Sequence, residues 1–211
     1  MTPTLWGRAS SVNVQKVMWA LAECGIAHTR KDAGGKYGQT DTDAFGAMAP
    51  FRRVPVWQEE GLVIWESHTI LRHLGRGDAA ALWPADPSAR ARADLWMDVA
   101  NTTLMPPFVG VFFEVVRFAE HERSPDRLKT HLGQLNATLD IFERQLSEQT
   151  WLAGPDFTLA DIAAGALMYR YFDIGIDRPD RPALAAWYGR LNARPAYRAT
   201  VMTSYDELRP T

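Results

Sequence analysis

Residues 53–67 decide the fold of the amino-terminal part of the chain, and their sequence is Arg53-Val54-Pro55-Val56-Trp57-Gln58-Glu59-Glu60-Gly61-Leu62-Val63-Ile64-Trp65-Glu66-Ser67. Two apolar runs, 54–57 and 62–65, flank a turn-forming stretch at 58–61, which is the pattern of a β-hairpin. Ser67 then opens a helical pattern whose apolar residues recur on one face. The stretch therefore predicts two antiparallel strands followed by a helix.

The residues before this hairpin complete a small α/β unit. The pattern predicts a short strand at 4–7, a helix after Ser10 and Ser11 and a second strand at 26–31. Gly25 stands where that helix should end. One short irregular helix is expected within 32–50. The order β-α-β-(α)-β-β-α predicts a small sheet covered by helices.

From residue 88 onward the periodicity predicts helices only. They are expected at about 88–104, continuing past Pro106-Pro107 to about 120, and then at 125–148, 159–172, 183–193 and after Pro195. Thr158 and Asp161 have the spacing of a capping box at the start of the 159–172 helix. We expect an α/β domain at 1–77, a linker at 78–87 that is rich in alanine and proline, and an all-α domain at 88–211.

The composition excludes several classes of protein. The 211 residues carry 23 Lys and Arg against 25 Asp and Glu, a formal charge of −2, and contain one cysteine. There is no basic domain for a nucleic-acid backbone, and Cys24 alone makes no disulfide or Cys-rich zinc site. The longest strictly apolar run, 106–113, is shorter than the roughly 20 residues of a membrane span. We therefore expect a soluble cytoplasmic protein with neither nucleic acid nor membrane as a partner.

Three short stretches have residues suited to binding a small peptide-like molecule. Hydroxyl and amide groups at Ser11 and Asn13, at a helix N-terminus, can stabilise an anion such as a thiolate. Val54 before a cis proline could pair its backbone with an extended ligand, although an ordinary trans proline also fits. Glu66 and Ser67 at a helix start could hold an ammonium and a carboxylate. Helix capping alone explains each serine equally well.

Taken together, these motifs resemble the cytosolic glutathione transferases, with the serine-type bacterial, theta-like and nu-like branches nearest. The resemblance covers the chain from Leu5 to Tyr197. It rests on Ser-x-Asn…Lys-Val in helix one, Val-Pro at strand three, Glu-Ser before helix three, and the stretch Trp-Leu-Ala-Gly-Pro-Asp-Phe-Thr-Leu-Ala-Asp at 151–161.

The resemblance implies a thioredoxin-like domain that binds glutathione, followed by a helical domain, in a homodimer. By position, Ser11 matches the hydroxyl that activates the glutathione sulfur, and Asn13 an amide that shares this role. Val54, before a cis Pro55, would pair with the cysteinyl backbone. The remaining matches are Glu66 and Ser67 for the γ-glutamyl end and Arg53 for the glycine carboxylate. Ala49 replaces a common family asparagine, which leaves the direction of Arg53 open.

The predicted function is a cytoplasmic glutathione S-transferase that detoxifies electrophiles, with glutathione as co-substrate and with no metal or permanently bound cofactor. Candidate residues for the pocket of a hydrophobic electrophile are Met105, Phe108 and Phe112, although aromatic residues at helical spacing also suit a core. Two alternatives share the fold. One is glutathione-dependent reduction of disulfides or peroxides, and the other is a non-catalytic binding module.

Overall fold

The computed structural model describes residues 2–210. Its sheet consists of β1 (Thr4–Trp6), β2 (Thr29–Lys31), β3 (Val56–Glu59) and β4 (Leu62–Trp65) in the order β2-β1-β3-β4. Strands β1 and β2 are parallel, and β1–β3 and β3–β4 are antiparallel. The register pairs Trp57 with Leu5 on one side and with Ile64 on the other. The predicted hairpin is confirmed.

In the amino-terminal part the helices alternate with the strands, and after β4 the described residues form helices and loops. The helices are α1 (Val12–Glu23), α2 (Asp43–Met48), α3 (Ser67–Gly75), α4 (Pro87–Val99), α5 (Met105–Phe112), α6 (Pro125–Glu148), α7 (Leu159–Gly165), α8 (Met168–Asp173), α9 (Pro182–Asn192) and α10 (Pro195–Thr200).

Strand β2 is shorter than predicted and strand β3 begins two residues later than predicted, each for a local reason. Helix α1 ends with Gly25 at φ 63, and the Ile26 N–H donates to the Leu21 carbonyl at 2.9 Å, so residue 26 still belongs to the helix end. Strand β3 begins at Val56, after a cis Val54–Pro55 bond. The proline has no N–H with which to continue the ladder.

One long helix runs from Pro87 to Arg117 through α4 and α5. Two π-helical turns, Ala100–Leu104 and Phe113–Arg117, interrupt the α-helical pattern before and after Pro106 and Pro107. Proline has no N–H to donate, so the α-helical ladder is already broken next to the first of these turns. By length and composition alone this helix could cross a membrane, but 44% of its apolar window is buried inside the protein. It packs against α6 and α7 as a core helix.

The helix predicted over 159–172 is interrupted between α7 and α8. The buried Tyr197 hydroxyl donates to the Gly165 carbonyl at 3.0 Å, and so occupies an acceptor that the next helical turn would need. The capping box at the start of α7 is confirmed, with the Thr158 N–H donating to Asp161 at 3.0 Å.

The hydrophobic core is continuous between the sheet-containing part and the helical part. Trp19 of α1 is fully buried, and its ring packs on Phe157 and Tyr197, with centroids 5.6 and 4.7 Å away. Within the predicted linker, Ala79 and Trp83 are also buried. The boundaries at 77 and 88 stay predictions, since one core joins the two parts.

Candidate active site

The loop between β1 and α1 carries the first group of site residues. Gly7 turns this loop at φ 149, and a side chain there would lie 2.4 Å from a Val14 methyl group. Ser11 is the N-cap of α1, with extended backbone at φ −81 and ψ 120, yet its hydroxyl makes no capping hydrogen bond. Among the described residues the Ser11 hydroxyl has no partner, so it is free to donate to a ligand.

Asn13 is the second residue of the same helix and faces α3. Its Oδ1 accepts a hydrogen bond from the buried Ser67 hydroxyl at 3.4 Å. That distance is long for an O–H···O bond. Because this contact uses the amide oxygen, the two amide hydrogens of Asn13 remain available to a ligand in the adjoining cleft.

The backbone of Val54 lies beside this helix start. Because β3 begins at Val56, Val54 is outside the ladder, and no loop hydrogen bond engages its backbone among residues 2–210. Arg53 precedes it and is exposed. The guanidinium of Arg52 instead donates to the Thr40 and Thr42 carbonyls at 3.2 and 2.8 Å, which ties the loop to the start of α2.

The junction between β4 and α3 differs from the prediction that Ser67 caps the helix. Glu66 is the N-cap and Ser67 is the first helical residue, because the Glu66 carbonyl accepts the Ile70 N–H at 3.0 Å. Glu66 adopts φ 72, a region in which a residue with a side chain costs about 1–3 kcal/mol. The exposed carboxylate of Glu66 and the N–H groups of the first helical turn thus lie side by side.

Two adjoining clefts gather the residues predicted for the site. One is lined by Asn13, Ala49, Phe51, Arg53, Val54, Pro55, Trp65, Glu66 and Ser67. The second is lined by Arg8, Ser11, Gly34, Gly35, Thr40, Arg52, Arg53 and Val54. Arg53 and Val54 belong to both, so the clefts form one groove with a carboxylate at one end and arginines at the other.

A buried cation lies behind the groove. Lys16 is fully buried, and its Nζ lies 3.0 Å from Nε2 of His68. Burial lowers the pKa of Lys16 to about 7, and the charge of Glu66 partly opposes that effect. Burial, followed by the charges of Lys16 and Arg72, lowers the pKa of His68 to about 2. His68 is therefore neutral, and its Nε2 accepts a hydrogen bond from Lys16 when that amine is protonated.

The helical part fixes the loop that carries Ser11. Arg170 of α8 is buried and donates to the Ser10 carbonyl at 2.6 Å. Ser10 in turn donates through its hydroxyl to Glu207, near the carboxyl end of the chain. Glu207 also pairs with Lys36 at 2.7 Å. Ser10, the neighbour of Ser11, is thus fixed by contacts with α8 and with the carboxyl-terminal segment.

The residues proposed for an electrophile pocket lie in α5. Phe108 and Phe112 stack on each other with centroids 6.1 Å apart and are 1% and 4% exposed. Met105 is partly buried and packs against the core. Two of the three are thus core side chains, and Met105 is the more accessible. Within residues 2–210, no cluster of three His, Cys, Asp or Glu side chains is arranged to hold a metal ion.

The chain is similar to known proteins along most of its length. The model of the glutathione S-transferase N-terminal domain matches residues 10–76, and that of the C-terminal domain matches residues 93–195. Glutathione S-transferase GstB of Escherichia coli K12 is 35% identical over 202 residues, covering 94% of this chain and 97% of that protein. The chain belongs to the glutathione S-transferase family. Glutathione S-transferase 3 of Zea mays is 30% identical, covering 93% of this chain and 92% of its own.

A solved structure extends the likeness to this glutathione S-transferase's whole architecture. The theta class enzyme of Xanthomonas axonopodis pv. citri, crystallised with glutathione bound, has a TM-score of 0.93 and 41% identity, and the match covers 96% of this chain and 98% of that one. The family resemblance and the fold class, a thioredoxin-like domain with an all-α domain, are confirmed.

Sequence reasoning missed several residues that line the groove or hold its loops. Arg8 lies in the loop before Ser11, and Phe51 and Trp65 line the groove. The position of Arg8, three residues before a candidate site serine, was a signal that could have been used. Arg170 is 160 positions from Ser10 along the chain, and no local pattern indicates their contact.

Proposed function

We propose that this transferase binds glutathione along the groove and activates its thiol with Ser11, assisted by Asn13. The observation that supports this proposal is that one groove is lined by three stretches distant in sequence, 11–13, 53–55 and 66–67. Glutathione is a tripeptide with a zwitterionic end, a backbone and a thiol, so it requires three such sites together. The glutathione-bound Xanthomonas structure supports this assignment.

The γ-glutamyl end would bind at the β4–α3 junction. Its ammonium would lie on the Glu66 carboxylate. Its carboxylate would accept from the N–H groups of the first turn of α3 and from the Ser67 hydroxyl, which would turn from Asn13 Oδ1 to the ligand. The free Val54 N–H and C=O would pair with the cysteinyl backbone, in the manner of strand addition. Arg53, exposed at the other end of the groove, would take the glycine carboxylate.

This orientation brings the thiol to the start of α1. A free thiol has a pKa of about 8.5, and lowering it by two units requires about 2.7 kcal/mol. A hydrogen bond to a charged sulfur supplies about 1.5–3 kcal/mol, and the helix N-terminus about 0.3–1 kcal/mol. Since the Ser11 hydroxyl has no other partner, it is the stronger candidate donor, and Asn13 supplements it.

The thiolate would then attack an electrophilic carbon. A carbon–sulfur bond forms, the leaving group departs with its electron pair, and the thiol proton passes to solvent. The helical part would provide the apolar side of the electrophile pocket, with Met105 accessible and Phe108 and Phe112 supporting it from the core. No metal or redox group takes part in this scheme.

Replacing the two donors tests the proposal. Turnover of glutathione with 1-chloro-2,4-dinitrobenzene would be measured in Ser11→Ala, Asn13→Ala and the double variant, with the exposed Ser88→Ala as the control. We expect kcat/KM to fall about 100-fold in Ser11→Ala and several-fold in Asn13→Ala. An unaffected double variant would contradict the assignment. Product analysis with a small disulfide substrate would separate transfer from reduction.

We also propose a cytoplasmic homodimer. Phe51 is 65% exposed and Trp65 36% exposed, and their rings pack edge-to-face with centroids 5.4 Å apart at the rim of the groove. An exposed aromatic pair of this kind suits burial against a second copy of the chain. Light scattering after gel filtration should show a dimer that dissociates in Phe51→Ser. A monomeric wild-type protein would contradict this proposal.

A further inference from the structure

A buried hydrogen bond joins helices α1 and α3 behind the groove. It links Nζ of Lys16 in α1 to Nε2 of His68 in α3, with 3.0 Å between the two atoms. Lys16 is fully buried and His68 is 5% exposed. The residues that line the groove include neither of them, so glutathione would not touch either side chain in the proposed orientation.

The contact between Asn13 and Ser67, at 3.4 Å, joins the same two helices at the groove itself. Lys16 follows Asn13 by three residues, so the two side chains lie on one face of α1. Ser67 and His68 are the first two residues of α3. The buried hydrogen bond therefore lies directly behind the two groups, an amide and a hydroxyl, that the proposed function assigns to glutathione.

The pair lies in apolar surroundings and is incompletely hydrogen-bonded. Buried residues beside it in the two helices, such as Val17 and Ile70, belong to the hydrophobic core. An ammonium group has three N–H donors, whereas Nζ of Lys16 has one hydrogen-bond partner among residues 2–210. Nδ1 of His68 approaches the backbone of Met97 in α4, but among the described residues it makes no hydrogen bond of normal geometry.

Stability alone does not account for two polar side chains at this place. Apolar residues of similar volume are often neutral or stabilising where they replace buried charged groups, and methionine has nearly the length of lysine. The hydrogen bond supplies a fixed geometry that methionine would not. A donor and an acceptor must lie about 3 Å apart, and this requirement limits how far the starts of α1 and α3 can separate.

We propose that Lys16 and His68 are positioning residues for glutathione, and that their hydrogen bond sets the spacing between the Asn13 amide and the Ser67 hydroxyl. This inference rests on the proposed function. One glutathione molecule must reach both groups at once, with its thiol near Asn13 and its γ-glutamyl carboxylate at Ser67. A misplacement of about 1 Å is enough to weaken such paired contacts strongly.

The expected effect falls mainly on the KM for glutathione. The γ-glutamyl carboxylate is bound equally in the ground and transition states, so a displaced Ser67 hydroxyl raises KM. A displaced Asn13 amide lowers kcat by a smaller factor, because Asn13 only supplements the main donor. Ser11, that main donor, keeps its place because Arg170 of α8 fixes the preceding carbonyl.

Steady-state kinetics with varied glutathione, at a fixed concentration of 1-chloro-2,4-dinitrobenzene, test the inference. Lys16→Met and His68→Leu remove the donor and the acceptor, and each should raise KM for glutathione about tenfold while kcat falls two- to threefold. His68→Gln retains an acceptor near the position of Nε2 and should bring KM to within threefold of the wild type. Lys129→Met and His121→Leu, at exposed positions, are the controls and should leave KM unchanged.

A double-mutant cycle shows whether the pair acts through the two groups at the groove. Lys16→Met would be introduced into a chain that already carries Asn13→Ala and Ser67→Ala. There it should change kcat/KM for glutathione less than twofold, against at least tenfold in the wild type. Calorimetric titration with glutathione gives the same comparison without turnover. Equal losses in the two backgrounds would overturn the inference, as would a wild-type KM in both Lys16→Met and His68→Leu.

Urea unfolding and circular dichroism separate positioning from loss of structure. Lys16→Met should be at least as stable as the wild type at pH 7, because it removes an incompletely hydrogen-bonded buried amine. If Lys16→Met folds poorly, the comparison of His68→Gln with His68→Leu decides. The two proposals also fail in different ways. A wild type that does not bind glutathione contradicts the proposed function, whereas a wild type that binds it and variants with unchanged KM contradict only the inference.

Discussion

Replacing Asp161 by alanine should remove a large part of the protein's stability. The carboxylate is fully buried and accepts N–H donors from Leu152, Thr158 and Trp187, each at 3.0 Å. It therefore connects the start of α7 to the 151–154 turn and to α9. Removing it leaves these three buried donors without a partner.

The expected loss follows from those contacts. A buried donor left unsatisfied costs about 1–3 kcal/mol. Three donors that share one acceptor are not independent, so the sum is smaller than three separate losses. We expect Asp161→Ala to lower the free energy of unfolding by about 3–5 kcal/mol, against the 5–15 kcal/mol typical of a whole domain. Asp161→Asn retains one acceptor oxygen and should lose about half as much.

Urea unfolding followed by tryptophan fluorescence measures this loss. All variants would be compared at one protein concentration, because association with a second copy adds to the apparent stability. Asp156→Ala, an exposed aspartate between that turn and α7, is the control and should change stability by less than about 0.5 kcal/mol. A loss below about 1 kcal/mol in Asp161→Ala would refute the reasoning.

Three further predictions concern the site and the cation behind it. Glu66→Gln should raise the KM for glutathione about tenfold with little change in kcat, because the ammonium is bound equally in the ground and transition states; steady-state kinetics with varied glutathione would show this. Lys16, whose pKa is lowered to about 7, loses its proton in the folded state before it does in the unfolded chain. Urea unfolding should therefore show stability rising by about 2 kcal/mol between pH 7 and 9, and Lys16→Met should lack this rise. Arg170→Met should shift the pH profile of kcat/KM to higher pH, because the Ser10 carbonyl loses its donor, and Arg170→Lys should partly restore it; an unshifted profile would leave Arg170 with only a structural role.

Local patterns predicted the parts of the fold that local chemistry determines. The two apolar runs at 54–57 and 62–65 on either side of a turn predicted the hairpin, although β3 begins two residues later than expected. The Thr158–Asp161 spacing predicted the capping box because the groups that form it are three residues apart. For the same reason, Gly25 marked the end of α1.

Features set by distant contacts could not be predicted from local patterns. The break between α7 and α8 depends on the Tyr197 hydroxyl, 32 residues further along the chain. The N-cap of α3 is Glu66, at φ 72, rather than Ser67. Serine is the more common N-cap residue, so the usual capping preference indicated the wrong position. The contact of Arg170 with the Ser10 carbonyl likewise arises only when α8 packs beside the loop between β1 and α1.

The pKa of glutathione bound to the protein is the measurement that tests the proposed activation most directly. Ultraviolet absorbance of the thiolate, recorded against pH at saturating protein, gives this value for the wild type and for the variant that lacks both the Ser11 and Asn13 donors. A thiol pKa about two units below that of free glutathione in the wild type, restored to the free value in the double variant, is the expected result. Equal values for bound and free glutathione, at demonstrated saturation, would contradict the mechanism.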